Sequence, residues 1–511
     1  MRKDRRLFPL LLSGVFGAQL ALACGSDSSH TQALPEPCAW EDCVAGGGAG
    51  GSMAVAGDAG RANGNAGEGG AVGDAGAAGE SSAEGGSAGT ASARDLEARV
   101  EEAVESIQSD RCFAENDSAL CDWADYEVGP AHFDMEKSTG EALLLIDDFG
   151  AGFYPELVRY RNRIRGFYRI TGDEAVSQVL SVHLPRRLGD VLVSFAGPEF
   201  IPARELARVG SAANARYGQL NLLYYGHGGV VFGHAVELVP EQPLVLLDLT
   251  NLFGIPPAVC AGIDGQTLAA ATAHFSAIAA SLKQLMSEQQ VHFINASFGS
   301  TVPDLATDWA RSCGDEVPSS SQLRELLHAY DPIYEVLFNT EAVLTAHAAA
   351  ALGDPEDYPF DQLSPKYPNR VRVGFISSQN SGLDEAGRGV VQKADQFPNL
   401  GDADVFFNWG CEMTASSPTC AEPHYEFAGP FGLGAATVAL MSTSYVNPLG
   451  IARLVNLRYA RHADEPMSDA LIQTLRQELT PTLCGDGGTD PCLYQDPLAH
   501  RQLEPYRLGY R

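Results

Sequence analysis

The chain runs to 511 residues and carries 34 Lys and Arg against 65 Asp and Glu, a net charge of −31. A surface this acidic repels nucleic acid and anionic lipid headgroups, so neither is expected as a partner of the folded part. The length suffices for one large domain with extensions, and the charge favours solubility without specifying a fold.

The N-terminus reads as a targeting segment. Arg2, Lys3, Arg5 and Arg6 precede an apolar run over 7–23, too short for a persuasive membrane span. Ala21-Leu22-Ala23 stands before Cys24. Ordinary cleavage after Ala23 would leave Cys24 a plain residue; lipidation would make it the first residue of a mature bacterial lipoprotein. Two observations favour lipidation: a polar tether follows at once, and removing Cys24 from the 11 cysteines leaves an even number. Gly25, rather than Asp, after the cysteine favours an outer-membrane or surface address, with periplasmic or secreted forms as the alternatives.

The other cysteines fall mostly in close sequential pairs, and an exported chain meets oxidants. The expected bridges are Cys38–Cys43, Cys112–Cys121, Cys411–Cys420 and Cys484–Cys492, with Cys260 and Cys313 left for each other. No zinc spacing competes with them. Residues 44–94 are dominated by Gly, Ala, Ser and acidic residues and bury too little to fold, so residues 24–94 read as a flexible tether behind a lipidated Cys24. Residues 95–110 have helical spacing, with Leu96, Val100, Val104 and Ile107 on one side. The stretch 95–139 reads as an N-terminal extension or a short pro-segment.

From about residue 140 the pattern becomes α/β. Buried strands are expected at 142–146, 219–225, 244–249, 291–295, 371–377 and 403–407, with an Ala-rich amphipathic helix over 265–288 and a helical insert over 321–352. Alternating strands and helices imply a parallel sheet with helices on both faces, whose functional residues gather at the strands' carboxyl ends.

Five segments carry candidate chemistry. The first, 143–150, ends an aliphatic run in Asp147-Asp148, a common cap or turn signal by itself. The second places Gly226-His227-Gly228 before an apolar helical run that reaches Pro240. His227 suits proton transfer near neutral pH, with His234 as its rival; the wide spacing argues against a metal pair. The third, Ile294-Asn295-Ala296-Ser297-Phe298-Gly299, closes a strand. The fourth ends a strand in Gln379-Asn380-Ser381-Gly382. The fifth, 441–455, sets Thr443-Ser444 before Pro448 and an apolar helical run. A hydroxyl before a helix is also an ordinary cap.

In that order, these segments together resemble the subtilisin-like serine peptidases, the subtilases, over roughly residues 140–480. The resemblance implies a subtilisin-like fold over 140–511 with long insertions near 152–222 and 301–366. It implies that Ser444 is the nucleophile, with Pro448 in the first turn of its helix. His227 is then the general base and acid, and Asp147 orients it. Asn380, with Asn408 as rival, donates to the oxyanion together with the Ser444 amide. Ser297, Phe298 and Gly299 pair with substrate backbone as an added strand. The implied activity is a serine endopeptidase acting on protein or peptide through an acyl-enzyme. No cofactor is implied beyond a structural calcium, for which no acidic loop spacing is present. Several flanks depart from the family pattern: Ser442 precedes Thr443 where the family has Gly, Gln379 replaces Gly, and Asp148-Phe149 intervenes before Gly150. These motivate the alternative, an inactive subtilase-like surface lipoprotein that acts by binding.

Overall fold

Residues 142–147 read Ala-Leu-Leu-Leu-Ile-Asp, and an apolar run without alternation fits a strand covered on both faces. The computed structural model describes residues 93–133, 140–194, 208–209, 212, 227–239, 242–314, 316–349, 355–360, 367–376, 381–383, 389–391, 403–408, 426–428, 434–437, 443–484 and 493–494. All of them belong to one unit, Ala91–Arg511. Cys24, residues 25–92 of the expected tether, the strand expected at 219–225 and Asn380 lie outside the described residues, as does at least one member of the cysteine pairs 38/43, 411/420 and 484/492, whereas the last two residues of the expected tether, Ala93 and Arg94, open a helix.

The described strands are β1 (Trp123–Val128), β2 (Ala142–Asp147), β3 (Ile164–Thr171), β4 (Glu174–Ser177), β5 (Leu180–Pro185), β6 (Leu244–Asp248), β7 (Val291–Ala296), β8 (Leu344–Ala348), β9 (Arg370–Ile376), β10 (Ser381–Leu383), β11 (Gly389–Val391), β12 (Val405–Asn408), β13 (Glu426–Ala428), β14 (Gly434–Thr437) and β15 (Leu493–Tyr494). Nine of them make one sheet in the order β15-β12-β9-β8-β7-β2-β6-β3-β4. Its neighbours run parallel except for the edge pair β3/β4. The architecture is therefore mixed α/β with a mostly parallel central sheet.

Side chains alternate across a strand, so β2 feeds two cores at once. Leu143 and Leu145 join one cluster with Leu244, Leu246 and Phe293. Leu144 and Ile146 join the other with Val245, Leu247 and Ile294. The helices divide in the same way. α1 (Ala93–Ser109), α2 (Arg111–Ala114), α3 (Tyr154–Arg159), α4 (Arg186–Ser194), α5 (His227–Leu238), α10 (Thr443–Arg461) and α11 (Asp469–Cys484) contribute to the first core. α6 (Gly265–Glu288), α7 (Val302–Ser312), α8 (Ser320–Leu327) and α9 (Asp331–Asn339) build the second. The 24-residue α6 spans the stretch expected from its apolar spacing, and Asp264 caps it by accepting from the amides of Gln266 and Thr267.

The structure corrects the reading of 321–352 as helical. That stretch holds α8, a 3-10 turn, α9 and then β8. Alanine favours helix, but Leu344–Ala348 is buried along its whole length between β7 and β9, and pairing overrides local propensity. Residues 152–222 supply β3 and β4 to the central sheet, and also β5, which pairs antiparallel with β1 from the N-terminal extension. Two expected disulfides are formed: Cys112–Cys121, and Cys260–Cys313 across 53 residues.

α10 packs against α5 and lies over β7, β8 and β9. Gly450 permits that approach, since a Cβ there would come within 2.5 Å of Val373 Cγ2 on β9. Gly450→Ala is therefore expected to lower stability by about 1–3 kcal/mol, as overpacking does. Val373→Ala in the same chain should recover part of that loss. Denaturant midpoints of the two single variants and the double variant check this.

Candidate active site

Asp147 is the last residue of β2, and His227 is the first of α5, so a strand's carboxyl end meets a helix's N-terminus. His227 Nδ1 lies 2.8 Å from Asp147 Oδ1, which also accepts the Asp148 amide at 2.9 Å. The Asp147 side chain is 3% exposed and that of His227 29%. A carboxylate that accepts from Nδ1–H puts the basic lone pair of the ring on Nε2, the arrangement a general base requires. The second Asp147 oxygen, Oδ2, is buried and makes no hydrogen bond among the described residues.

Asp148 has a different task. Its Oδ1 accepts the His227 amide at 3.0 Å, and its carbonyl accepts the Gly228 amide at 2.9 Å. It thus caps the first two orphan amides of α5 from another part of the chain. The sequence marked Asp147-Asp148 as a common cap or turn signal, but not that Asp148 would cap a helix 79 residues further along the chain. Gly228 makes the junction possible: a Cβ there would meet the Asp148 carbonyl at 2.5 Å and Asp147 Cβ at 2.8 Å.

Burial pushes the Asp147 carboxyl up to about 6, partly offset by the charge and hydrogen bond of His227. Burial opposes the charged form of His227 too, but the Asp147 charge and hydrogen bond, with the Asp148 charge, hold the imidazole above its ordinary 6.5. Both shifts run upward, so the folded state keeps protons that the unfolded chain releases. The contribution of this pair to stability therefore falls as pH rises from 3.8 through the raised His227 value.

Ser444 is the second residue of α10. The helix begins at Thr443, so Pro448 stands in its second turn rather than its first. Ser444 is tied to the end of β7, where Ser297 Oγ donates to its carbonyl at 2.9 Å. Asn295, Ser297 and Asn447 form a buried polar cluster beneath it. The Phe298 carbonyl accepts from His347 Nε2 at 3.0 Å, and the Phe298 ring packs 5.0 Å from Phe253. Burial, Arg370 and Arg372 hold His347 well below the ordinary imidazole range, so it stays neutral and donates through Nε2–H. Among the described residues, no heavy atom outside the immediate chain lies within 4 Å of a Cβ built on Gly299.

The structure thus joins Asp147 to His227 directly, and Ser297 to Ser444. Asn408 is the last residue of β12, while Asn380 lies outside the described residues. His234 lies within α5, two turns from its start. Sequence reasoning quoted Asn295 within the third segment but gave neither it nor Asn447 a role. The available signal was position, since Asn447 stands three residues after Ser444 and so shares its helix face.

Asp147, Asp148 and His227 also form a group whose ligand atoms all lie within 4.8 Å of one another. They fit a metal poorly. The Nδ1 of His227 is turned to Asp147 Oδ1 at hydrogen-bond distance, and Asp148 Oδ1 is held by the His227 amide. A metal bound through these same atoms would have to displace both bonds.

No family model and no curated protein matches the chain. Among solved structures, the chain is similar to Pseudomonas sedolisin, a serine-carboxyl proteinase complexed with two molecules of pseudo-iodotyrostatin. The identity is 13%, the match covers 75% of this chain and 98% of that one, and the TM-score is 0.31. Likeness at that level leaves the chemistry to be argued from this chain's own residues.

A base whose pKa is raised works only above it. Any turnover that depends on His227 should show a rising limb of kcat/KM above pH 6.5, the ordinary imidazole value. Asp147→Asn removes the largest of the causes that raise His227 and leaves burial, which lowers it. The limb should move to lower pH while the rate falls about 10⁴-fold, as loss of the orienting carboxylate does in serine peptidases. A pH–rate profile of both proteins, or of their labelling by an active-site probe, measures this.

Proposed function

We propose that this chain is a serine peptidase of the subtilisin-like type, exported and held to a membrane by a lipid on Cys24. The observation that carries the reading is the 2.8 Å bond between the buried Asp147 carboxylate and His227 Nδ1, set at the carboxyl end of a central parallel strand. A buried acid that orients an imidazole at the mouth of a sheet supplies a base. The adjoining helix α10 supplies a hydroxyl near its N-terminus, where the helix dipole favours developing negative charge.

In this reading Ser444 Oγ attacks the scissile carbonyl, and His227 Nε2 takes its proton and then gives it to the leaving amine. Asp147 stabilises the imidazolium that forms between these steps. The amide of Ser444 and the side chain of Asn380 donate to the tetrahedral oxyanion. The acyl-enzyme on Ser444 is released by water that His227 activates. Substrate backbone runs beside Ser297, Phe298 and Gly299 as an added strand, a placement supported by the absence of neighbours around Gly299 among the described residues.

Export is supported by the basic and apolar N-terminus and by the Cys112–Cys121 and Cys260–Cys313 bridges, since disulfides persist in oxidising compartments. Among the described residues no helix is long and apolar enough to cross a membrane. In this reading attachment falls to the acyl chains on Cys24, with residues 25–92 as the tether before α1.

A fluorophosphonate probe tests the catalytic reading. The parent protein should label, and Ser444→Ala and His227→Ala should each lose labelling by at least about 10³-fold while keeping the parental circular dichroism. A folded parent that does not label would leave a binding protein in place of a peptidase. For the anchor, Cys24→Ser should abolish incorporation of labelled palmitate and release the protein from the membrane fraction. Incorporation that survives the substitution would sink the lipoprotein reading.

A further inference from the structure

Pro448 stands four residues after Ser444, inside α10. In an α-helix the amide of residue i+4 donates to the carbonyl of residue i, and proline has no amide hydrogen. The carbonyl of the proposed nucleophile is therefore denied its helical donor by the sequence itself.

Ser297 Oγ fills that role at 2.9 Å. Its hydroxyl is fixed from behind, because it accepts from Asn295 Nδ2 at 2.8 Å and, more weakly, from Asn447 Nδ2 at 3.4 Å. With its lone pairs engaged, its one proton is left for Ser444. The amide hydrogens of Asn447 go chiefly to Asn295 Oδ1 at 2.9 Å and to the Ala346 carbonyl of β8 at 3.0 Å. Asn295 and Asn447 are wholly buried and Ser297 nearly so. Two adjacent strands and the first turns of the Ser444 helix thus meet in one water-excluded polar knot, where hydrogen bonds are stronger and a missing partner costs more.

We propose that Ser297, oriented by Asn295 and Asn447, is a positioning residue that replaces the amide Pro448 lacks and so fixes the backbone from which Ser444 presents its hydroxyl and amide. The inference rests on the peptidase reading for its catalytic meaning, but the clamp itself can be judged without it. A reacting group misplaced by about 1 Å can cost about a hundredfold in rate. Ser297 then serves the site twice: its backbone in the proposed substrate strand, and its side chain in holding the nucleophile.

The test uses the full chain and three variants: Ser297→Ala, Pro448→Ala and the double variant. Each is followed by fluorophosphonate labelling rate and by amide hydrogen exchange of peptides covering 441–455. Ser297→Ala should slow labelling about ten- to hundredfold and speed exchange at the start of α10 about tenfold, with the global unfolding midpoint recorded beside it. Pro448→Ala restores an amide four residues after Ser444. It should return both readouts of Ser297→Ala to within about threefold of the parent, while leaving an unrelated core variant such as Leu246→Ala, matched in midpoint, unrescued. Unchanged exchange in folded Ser297→Ala, or a double variant no better than the single one, overturns the proposal. If the parent itself fails to label, the peptidase reading falls. The exchange data then decide the clamp alone: speeding in Ser297→Ala and its reversal in the double variant uphold it, and their absence removes it.

Discussion

The site depends on how closely a helix can approach the end of a strand. β2 ends in two carboxylates, and α5 begins with an imidazole whose ring reaches the first of them. The second carboxylate holds the helix in place through its leading amide. The approach is short enough that no side chain larger than hydrogen fits at residue 228. The charge pattern, the raised imidazole and the buried acid all follow from that single contact.

The sheet order carries the effect outward. β2 lies between β6 and β7, with β8 and β9 beyond β7, and α10 rests across β7, β8 and β9 while packing against α5. A helix seated there brings its N-terminus to the loop that leaves β7. The buried amides of Asn295 and Asn447 then join strand to helix by hydrogen bonds that apolar packing could not direct. Apolar side chains on both faces of β2 hold the strand, and the polar atoms at its end are left to chemistry.

Much of this was legible in the sequence because buried parallel strands read as unbroken apolar runs. β2, β6, β7 and β9 each lie within a residue or two of their expected spans. Gly226-His227-Gly228 announced a tight helix entry. β8 was not legible, because Leu-Thr-Ala-His-Ala has the composition of a helix and becomes a strand only through its two neighbours. β3 was missed for a related reason: Arg165, Gly166 and Arg169 interrupt its apolar run, while Arg165 finds its partners at Gln289 and Gly140, far along the chain. The cap made by Asp148 and the clamp made by Ser297 both join residues more than seventy positions apart, which no local pattern encodes.

The pairing of β1 with β5 also determines where the chain tolerates a break. β1 precedes Asp147 in the chain and β5 falls between Asp147 and His227, and their six-residue register is backed by Val100, Ile107, Phe113 and Val128 in the same core as β2. A cut within residues 134–139 would sever the backbone without undoing any of those bonds. The N-terminal piece would remain seated as a second, noncovalent chain, much as a nicked protein stays whole until denatured. Leaving would require it to expose its apolar face and to strip β5 of its only partner among the described strands. For the same reason, any shortened version of this protein has to begin upstream of Ala93 to keep its core intact.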